Sequence, residues 1–115
     1  MRRGEIRIVD FEPARGSEAN TRRPAVLVSR DRGNATADRL GRGVVTVVPV
    51  TSNTATVHPF QVLLPAEDTG LRSDSKAQCE QVRAVSVDRI GPRIGGLGPD
   101  LVSELDDALR LHLDL

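Results

Sequence analysis

Short apolar segments separated by polar turns make up most of the chain as far as residue 94. Val, Ile and Thr are frequent in these segments, and β-branched residues favour strands. The connections contain Gly, Pro, Asn and Asp, which are typical of turns. Strands are therefore predicted at residues 4–11, 24–29, 43–51, 60–64 and 76–85, with a short last one at 93–94.

The hydrophobic pattern changes to a helical period near the C-terminus. Pro99 suits the first position of a helix, and Asp100 is favourable in the first turn. Side chains that recur every three or four residues then form one stripe, which consists of Leu101, Leu105, Ala108, Leu109 and His112. Such a stripe predicts a helix that packs on the sheet.

The remaining segments have weaker patterns. Residues 31–42 are polar and contain glycines, so we interpret them as a mobile connection, and residues 65–75 as a turn-rich one. Residues 86–90 fit a single helical turn. Together the elements predict a fold that is mainly β with a C-terminal helix, arranged as a small curled sheet or barrel.

The size and composition of the chain indicate one small domain, at residues 1–115. The chain has two Phe and no Trp or Tyr, so its core must come from Val, Leu, Ile and Ala. Because a small core of that kind is only marginally stable, a dimer interface would help to stabilise it.

Several classes of protein are disfavoured by what the sequence lacks. Cys79 is the single cysteine, which rules out an intrachain disulfide and is compatible with a reducing cytoplasm. No apolar run approaches the ~20 residues of a membrane span, and the N-terminus has no apolar signal core. His58 and His112 lie far apart, so no metal site is predicted. A Gly-x-Ser-x-Gly hydrolase motif is absent.

The charges are unevenly distributed along a chain whose net charge is zero. Residues 1–42 carry a balance of +4 and residues 43–115 a balance of −4, and nearly every base is Arg. Residues 12–23 form a polar connection of about a dozen residues, whereas a hairpin needs about two to five. Its Gly, Ser, Glu, Asn and Arg residues suit a ligand that bears phosphate, although an ordinary solvated loop has the same composition.

Polar side chains also stand at the ends of several predicted strands. They are Arg23 at the start of the second, Thr51, Ser52 and Asn53 at the end of the third, and Glu80, Gln81 and Arg83 on the fifth. If these strands are neighbours, the side chains converge under the 12–23 loop. The alternative is that residues 51–53 only cap a turn, which such residues do well. Cys79 is interpreted as a small core residue in the middle of the fifth strand.

Motifs along the whole chain resemble the MazF/PemK toxin family. The segments that carry the resemblance are residues 3–6 (RGEI), 9–18 (VDFEPARGSE), 23–29 (RPAVLVS), 48–53 (VPVTSN), 59–65 (PFQVLLP), 79–83 (CEQVR), 94–95 and 106–113. The resemblance implies a small SH3-like β-barrel of the CcdB/MazF type with a C-terminal helix, acting as a homodimer. It implies the toxin of a toxin–antitoxin pair, which cuts single-stranded RNA at short sequence motifs without a metal or other cofactor. An acidic, partly disordered segment of a MazE-like antitoxin would occupy the RNA groove.

The resemblance also assigns residues to the site. Arg23 and Thr51 match the catalytic pair of the family. Positions around the RNA groove are matched by Gly16, Ser17, Glu18, Ser52, Asn53, Glu80 and Gln81, to which we add Asn20 of the polar loop. Cleavage by the neighbouring 2′-hydroxyl requires stabilisation of a phosphorane-like dianion, which Arg23 and Thr51 can supply.

Three points remain open from the sequence. The general base is unassigned, with Glu18 and His58 as candidates. A gyrase poison of the CcdB type is an alternative, but those proteins bind through a C-terminus that contains Trp, and this chain has none. A catalytically inactive barrel that binds RNA or peptide is the other alternative.

Overall fold

The computed structural model describes residues 1–11 and 22–115. Its strands are β1 (Glu5–Asp10), β2 (Arg22–Leu27), β3 (Val44–Thr51), β4 (Gln61–Leu64), β5 (Ser75–Gln78), β6 (Arg83–Ser86) and β7 (Ile90–Gly96). Its α-helices are α1 (Asp31–Leu40), α2 (Ala66–Thr69) and α3 (Pro99–Leu113), and 3₁₀ turns lie at Cys79–Gln81 and Val87–Arg89.

The strands form one antiparallel sheet in the order β4-β5-β3-β2-β1-β7, with β6 paired to the first half of β3. Strand β3 is central, because its first half pairs with β6 and its end with β5, where Thr51 is opposite Lys76. Pro49 lies just before this change of partner. Strands β4 and β7 end the path, so the sheet is not closed in the part of the chain described. The predicted class, mainly β with a C-terminal helix, is confirmed.

The core lies on both sides of the sheet. One cluster joins the sheet to α3 and includes Ile6, Val48, Leu64 and Leu105, while the other includes Val9, Leu27 and Val47. Leu105 and Ala108 are buried and His112 is exposed, so the predicted apolar stripe of α3 is right except at its last position. An ion pair of 2.8 Å between Arg3 and Asp106 joins the start of β1 to α3.

The interpretation of residues 31–42 as a mobile connection is wrong, because most of them form α1. The helix is anchored by a polar residue: Asn34 is fully buried and its Nδ2 donates to the Ser29 carbonyl oxygen at 2.9 Å. Gly41, with a φ of 64°, ends the helix in the left-handed conformation. Few residues of the segment are apolar, and only Asn34 and Ala37 are buried, so its helix is hard to recognise from hydrophobic residues.

The prediction of one strand over residues 76–85 is also wrong, since the 3₁₀ turn Cys79–Gln81 divides it into β5 and β6. The two parts pair with different halves of β3, so the chain must shift sideways between them. Cys79 is buried as predicted, but it lies in this turn and not in a strand. The helical turn predicted at 86–90 is confirmed by Val87–Arg89, and β7 is longer than the predicted 93–94. The connection at 65–75 contains the short helix α2.

Among the described helices, none combines the length and the apolar character needed to cross a membrane.

Candidate functional site

A groove with a cavity volume of about 760 Å³ lies beside the C-terminal end of β3, and we call it the β3 groove. Its floor is apolar and includes Ile8 of β1, Pro24 of β2 and Ile94 of β7. The first two residues are directly opposite each other in the β1–β2 pairing. The sheet therefore provides a rigid apolar surface around which polar side chains stand.

The predicted catalytic pair, Arg23 and Thr51, lines this groove. Strands β2 and β3 are antiparallel with Ala25 opposite Pro49. When this register is continued by two residues, Arg23 comes level with Thr51. The Arg23 side chain is exposed and Thr51 is half-buried. Strand pairing thus brings together two residues that are far apart in sequence, while their catalytic roles stay predictions.

The Thr51 hydroxyl takes part in a turn at the edge of the groove. Its oxygen accepts the backbone N–H of Asn53 at 3.2 Å, and the Asn53 side-chain oxygen accepts the N–H of Ala55 at 3.2 Å. The turn-capping role that the sequence left open is therefore present. Because a hydroxyl both accepts and donates, the same geometry leaves the Thr51 proton for an acceptor in the groove.

The β3 groove has an arginine-rich lining. Among the described residues that line it, three are arginines, Arg22, Arg23 and Arg72, and none is acidic. Hydroxyl groups are contributed by Thr51, Ser52, Ser73 and Ser75. Guanidinium groups bind phosphate oxygens in a bidentate manner. The groove can therefore bind a polyanion along an apolar floor.

Glu80 and Gln81 do not line the β3 groove. A Glu80 carboxylate oxygen accepts from Nε2 of Gln61 at 2.8 Å, and the Gln61 side-chain oxygen accepts the N–H of His58 at 3.1 Å. Gln61 therefore holds the 3₁₀ turn and the loop after β3 together. Gln81 is exposed on the same turn. The role of Glu80 and Gln81 in RNA binding stays a prediction.

The other predicted residues are placed as follows. Ser52 lines the groove, whereas Asn53 is exposed outside its lining. His58 is exposed and stacks on Phe60 with ring centroids 5.2 Å apart, also outside the lining. The loop residues Gly16, Ser17, Glu18 and Asn20 lie outside the described residues. The general base therefore stays unassigned.

Sequence reasoning missed the turn after α2, where Leu71, Arg72 and Ser73 line the groove. The available signal was weak: Arg72 is one of few bases in the acidic part of the chain, and it lies two residues after Gly70 in a turn-rich segment. Arg22, one of the arginines of the predicted polar connection at residues 12–23, begins β2.

Cys79 has the environment of a core residue and not of a nucleophile. Burial, together with the nearby charge of Glu80, raises the pKa of its thiol to about 12. The thiol is therefore protonated at neutral pH and unreactive. Within residues 1–11 and 22–115, no group of three or more His, Cys, Asp or Glu side chains is arranged to hold a metal ion.

Comparison with known proteins gives a consistent result. Residues 2–113 match the family model described as PemK-like, MazF-like toxin of type II toxin–antitoxin system. The chain is 64% identical over 115 residues to endoribonuclease MazF9 of Mycobacterium tuberculosis (strain ATCC 25618 / H37Rv), which covers 100% of this chain and 98% of the relative.

Two solved structures show the same fold. MazF from Deinococcus radiodurans has a TM-score of 0.75 and 26% identity, covering 100% of this chain and 97% of that one. An endoribonuclease in complex with its cognate antitoxin from a Mycobacterial species has a TM-score of 0.73 and 21% identity, covering 100% and 96%.

Proposed function

Because the chain belongs to the family of PemK-like, MazF-like toxins of type II toxin–antitoxin systems and is an endoribonuclease of that kind, we propose that it cuts single-stranded RNA in the β3 groove. The observation that carries this proposal is the alignment of Arg23 with Thr51 in a groove whose described lining has three arginines and no acid. The substrate is cellular RNA, so the toxin acts in the cytoplasm.

The reaction is a transfer of the phosphodiester to the neighbouring 2′-oxygen. The 2′-hydroxyl attacks phosphorus in line, the bond from phosphorus to the 5′-oxygen breaks, and the products are a 2′,3′-cyclic phosphate and a 5′-hydroxyl. A base takes the proton of the 2′-hydroxyl and a proton is returned to the leaving 5′-oxygen. No redox change occurs.

Arg23 and Thr51 stabilise the charge that develops in this step. The Arg23 guanidinium spans two non-bridging oxygens, and the Thr51 hydroxyl donates to one of them. Arg is essentially never deprotonated in proteins, so Arg23 acts as an electrostatic clamp and not as the base. Because fixed cationic donors neutralise the dianion, the reaction proceeds without a metal ion.

The antitoxin partner is an acidic, partly disordered segment of a MazE-like protein that binds across the β3 groove. Charge complementarity supports this, since the described lining offers arginines without acids. The solved mycobacterial endoribonuclease that shares this fold is in complex with its cognate antitoxin. A segment that folds on binding can cover a long surface, and salt should weaken its binding.

The toxin acts as a homodimer. Support comes from its small aliphatic core and from large apolar side chains on the surface, including Leu40, Val44 and Leu111, which are 52%, 66% and 57% exposed. A stable interface would bury on the order of 1,200 Å² or more. Light scattering at micromolar concentration should give twice the mass of the chain, and a monomer would contradict this.

The function is tested by incubating the purified protein with mixed single-stranded RNA in EDTA and mapping the ends. Cleavage at a short motif, with cyclic phosphate and 5′-hydroxyl ends, is expected. Arg23→Ala should lose about a hundredfold or more of the rate, the scale of one transition-state donor. Its thermal midpoint should not change, because Arg23 is exposed.

Arg39→Ala is the matched control, since Arg39 is exposed on α1 and outside the groove lining. It should cleave like the wild type. Full activity of Arg23→Ala would overturn the assignment of Arg23. RNA binding without any cleavage by the wild type would favour a catalytically inactive barrel.

A further inference from the structure

The turn between α2 and β5 forms the wall of the β3 groove on the side away from Arg23. In the sheet, β3 lies between β2 and β5. Arg23 on β2 is therefore on one side of Thr51, and the segment that leads into β5, residues 70–75, is on the other. Neighbouring strands are about 4.8 Å apart, so β2 and β5 are separated by roughly 10 Å where they flank β3.

This wall is held in place by a set of short-range hydrogen bonds. The Thr69 hydroxyl donates to the Pro65 carbonyl oxygen at 2.8 Å, and the backbone N–H of Gly70 donates to Ala66 at 3.0 Å. The Asp74 carboxylate accepts the N–H of Ala66 at 2.9 Å, which closes the turn onto the start of α2. The residues on both sides of Arg72 are thus tied to the start of α2.

Close packing of its first residues against β7 also holds this turn in place. Gly70 has a φ of 84°, and a Cβ placed on it would lie 3.5 Å from the Ile94 carbonyl oxygen. A Cβ on Gly95 would lie 2.2 Å from the Thr69 carbonyl oxygen. The two backbones therefore touch where only glycine fits, and the turn has little freedom to move away from the groove.

Arg72 is the charged residue that this turn presents. It is exposed and lines the β3 groove. Within the described part of the chain it makes no ion pair and no side-chain hydrogen bond, unlike Arg3 and Arg7, which are paired with acids. A guanidinium on this wall, beside the hydroxyl of the exposed Ser73, is suited to bind a phosphate group.

We infer that Arg72 is a second phosphate-binding arginine of the site, which holds the RNA backbone from the wall opposite Arg23. The inference rests on the proposed function, because it takes RNA as the ligand of the groove. Arg72 binds a phosphate next to the one that is cleaved, so it acts on substrate binding and not on the developing charge. Two arginines on opposite sides of Thr51 fix the path along which the RNA backbone crosses it.

The test measures binding and cleavage separately. A mixed-sequence 2′-O-methyl RNA oligonucleotide is the binding probe, because it lacks the free 2′-hydroxyl that attacks and so is not cut. Arg72→Gln should bind it roughly tenfold more weakly, the scale of one charge-assisted contact. The slope of log affinity against log salt should decrease by about 0.7, the loss of one phosphate contact on a single strand. In cleavage, KM should rise more than kcat falls.

Arg39→Gln is the control, because it removes the same charge from an exposed site on α1. It should leave the affinity within about twofold, since Arg39 does not line the β3 groove and salt screens exposed charges that make no direct contact with the ligand. Wild-type binding, salt slope and KM in Arg72→Gln would overturn the inference, as would an equal loss in Arg39→Gln. Arg72→Ala is measured in parallel. It should show the same losses as Arg72→Gln, and wild-type values in it would equally overturn the inference.

The two proposals fail in different ways. If the wild type cleaves RNA and Arg72→Gln behaves like it, the inference about Arg72 falls and the endoribonuclease function stands. If the wild type binds the probe but cleaves nothing, a loss of binding in Arg72→Gln supports the inference while the cleavage proposal falls. If the wild type neither binds the probe nor cleaves RNA, both are overturned.

Discussion

Replacing Gly95 by Ala should destabilise the fold and displace one wall of the β3 groove. Gly95 lies in β7 opposite Ile6 of β1, so its backbone is held by strand pairing. A Cβ at this position would meet the Thr69 carbonyl oxygen at 2.2 Å and the Thr69 carbonyl carbon at 3.3 Å. Real Cβ atoms essentially never approach another heavy atom within 3.0 Å, so the distance of 2.2 Å to the Thr69 oxygen is 0.8 Å below this limit.

The size of the effect follows from which atoms must move. Both close contacts are backbone atoms at the end of α2, and no flexible side chain can move aside to relieve them. Overpacking of this kind costs about 1–3 kcal/mol. The lower entropy of the unfolded alanine chain offsets about 0.4–1 kcal/mol of that. A net loss of about 1–2 kcal/mol lowers the thermal midpoint by roughly 4–10 °C in a domain of this size.

The assay is urea unfolding together with binding of the 2′-O-methyl RNA probe. Gly33→Ala is the control, because Gly33 lies within α1 and its added Cβ would make only an ordinary contact of 3.5 Å with Arg30. It should raise stability by up to about 1 kcal/mol, the helix propensity of Ala over Gly. Wild-type stability in Gly95→Ala would refute the steric argument. Reduced stability with unchanged RNA binding would show that the turn holding Arg72 does not depend on this contact.

Three further outcomes are expected. Thr51→Val should lower the single-turnover cleavage rate about 10²–10³-fold with RNA binding near normal. Thr51→Ser keeps the hydroxyl and should keep most of the rate. Equal cleavage rates in the two variants would show that the Thr51 hydroxyl takes no part in the reaction. Leu105→Ala should cost about 2–5 kcal/mol of unfolding free energy because Leu105 is fully buried, against less than about 0.5 for Leu115→Ala, whose side chain is 85% exposed; similar losses would contradict the packing described. The unfolding free energy should fall as pH rises from about 9 towards 12, because the folded Cys79 thiol, with its pKa raised to about 12, keeps a proton that the unfolded chain releases. Cys79→Ala should flatten that fall in urea titrations at several pH values, and an unchanged slope would show that other groups cause it.

Local patterns predicted the elements in which short-range chemistry decides the conformation. The β-branched run of β3 and the three-four period after Pro99 became a central strand and a helix. The pattern failed where burial is polar, as in α1, because buried Asn34 replaces the apolar stripe that marks a helix. It also failed at residues 76–85, where polar and apolar residues alternate through a 3₁₀ turn. The segments on both sides of this turn pair with β3, so the sequence pattern looks like that of one strand.

For the site, the sequence by itself determined which side chains are available and, through the family resemblance, which of them to pair. Arg23 and Thr51 were named in this way before their positions were known. That they share one groove was decided by the antiparallel register of β2 and β3, a long-range pairing that residue types alone do not specify. Arg72 was found only in the tertiary structure, because it enters the groove through the packing of a turn against β7, where Gly95 touches Thr69. Composition and hydrophobic periodicity indicate the local conformation of residues that are neighbours in sequence. A groove, in contrast, is formed by segments that meet only when the sheet is assembled.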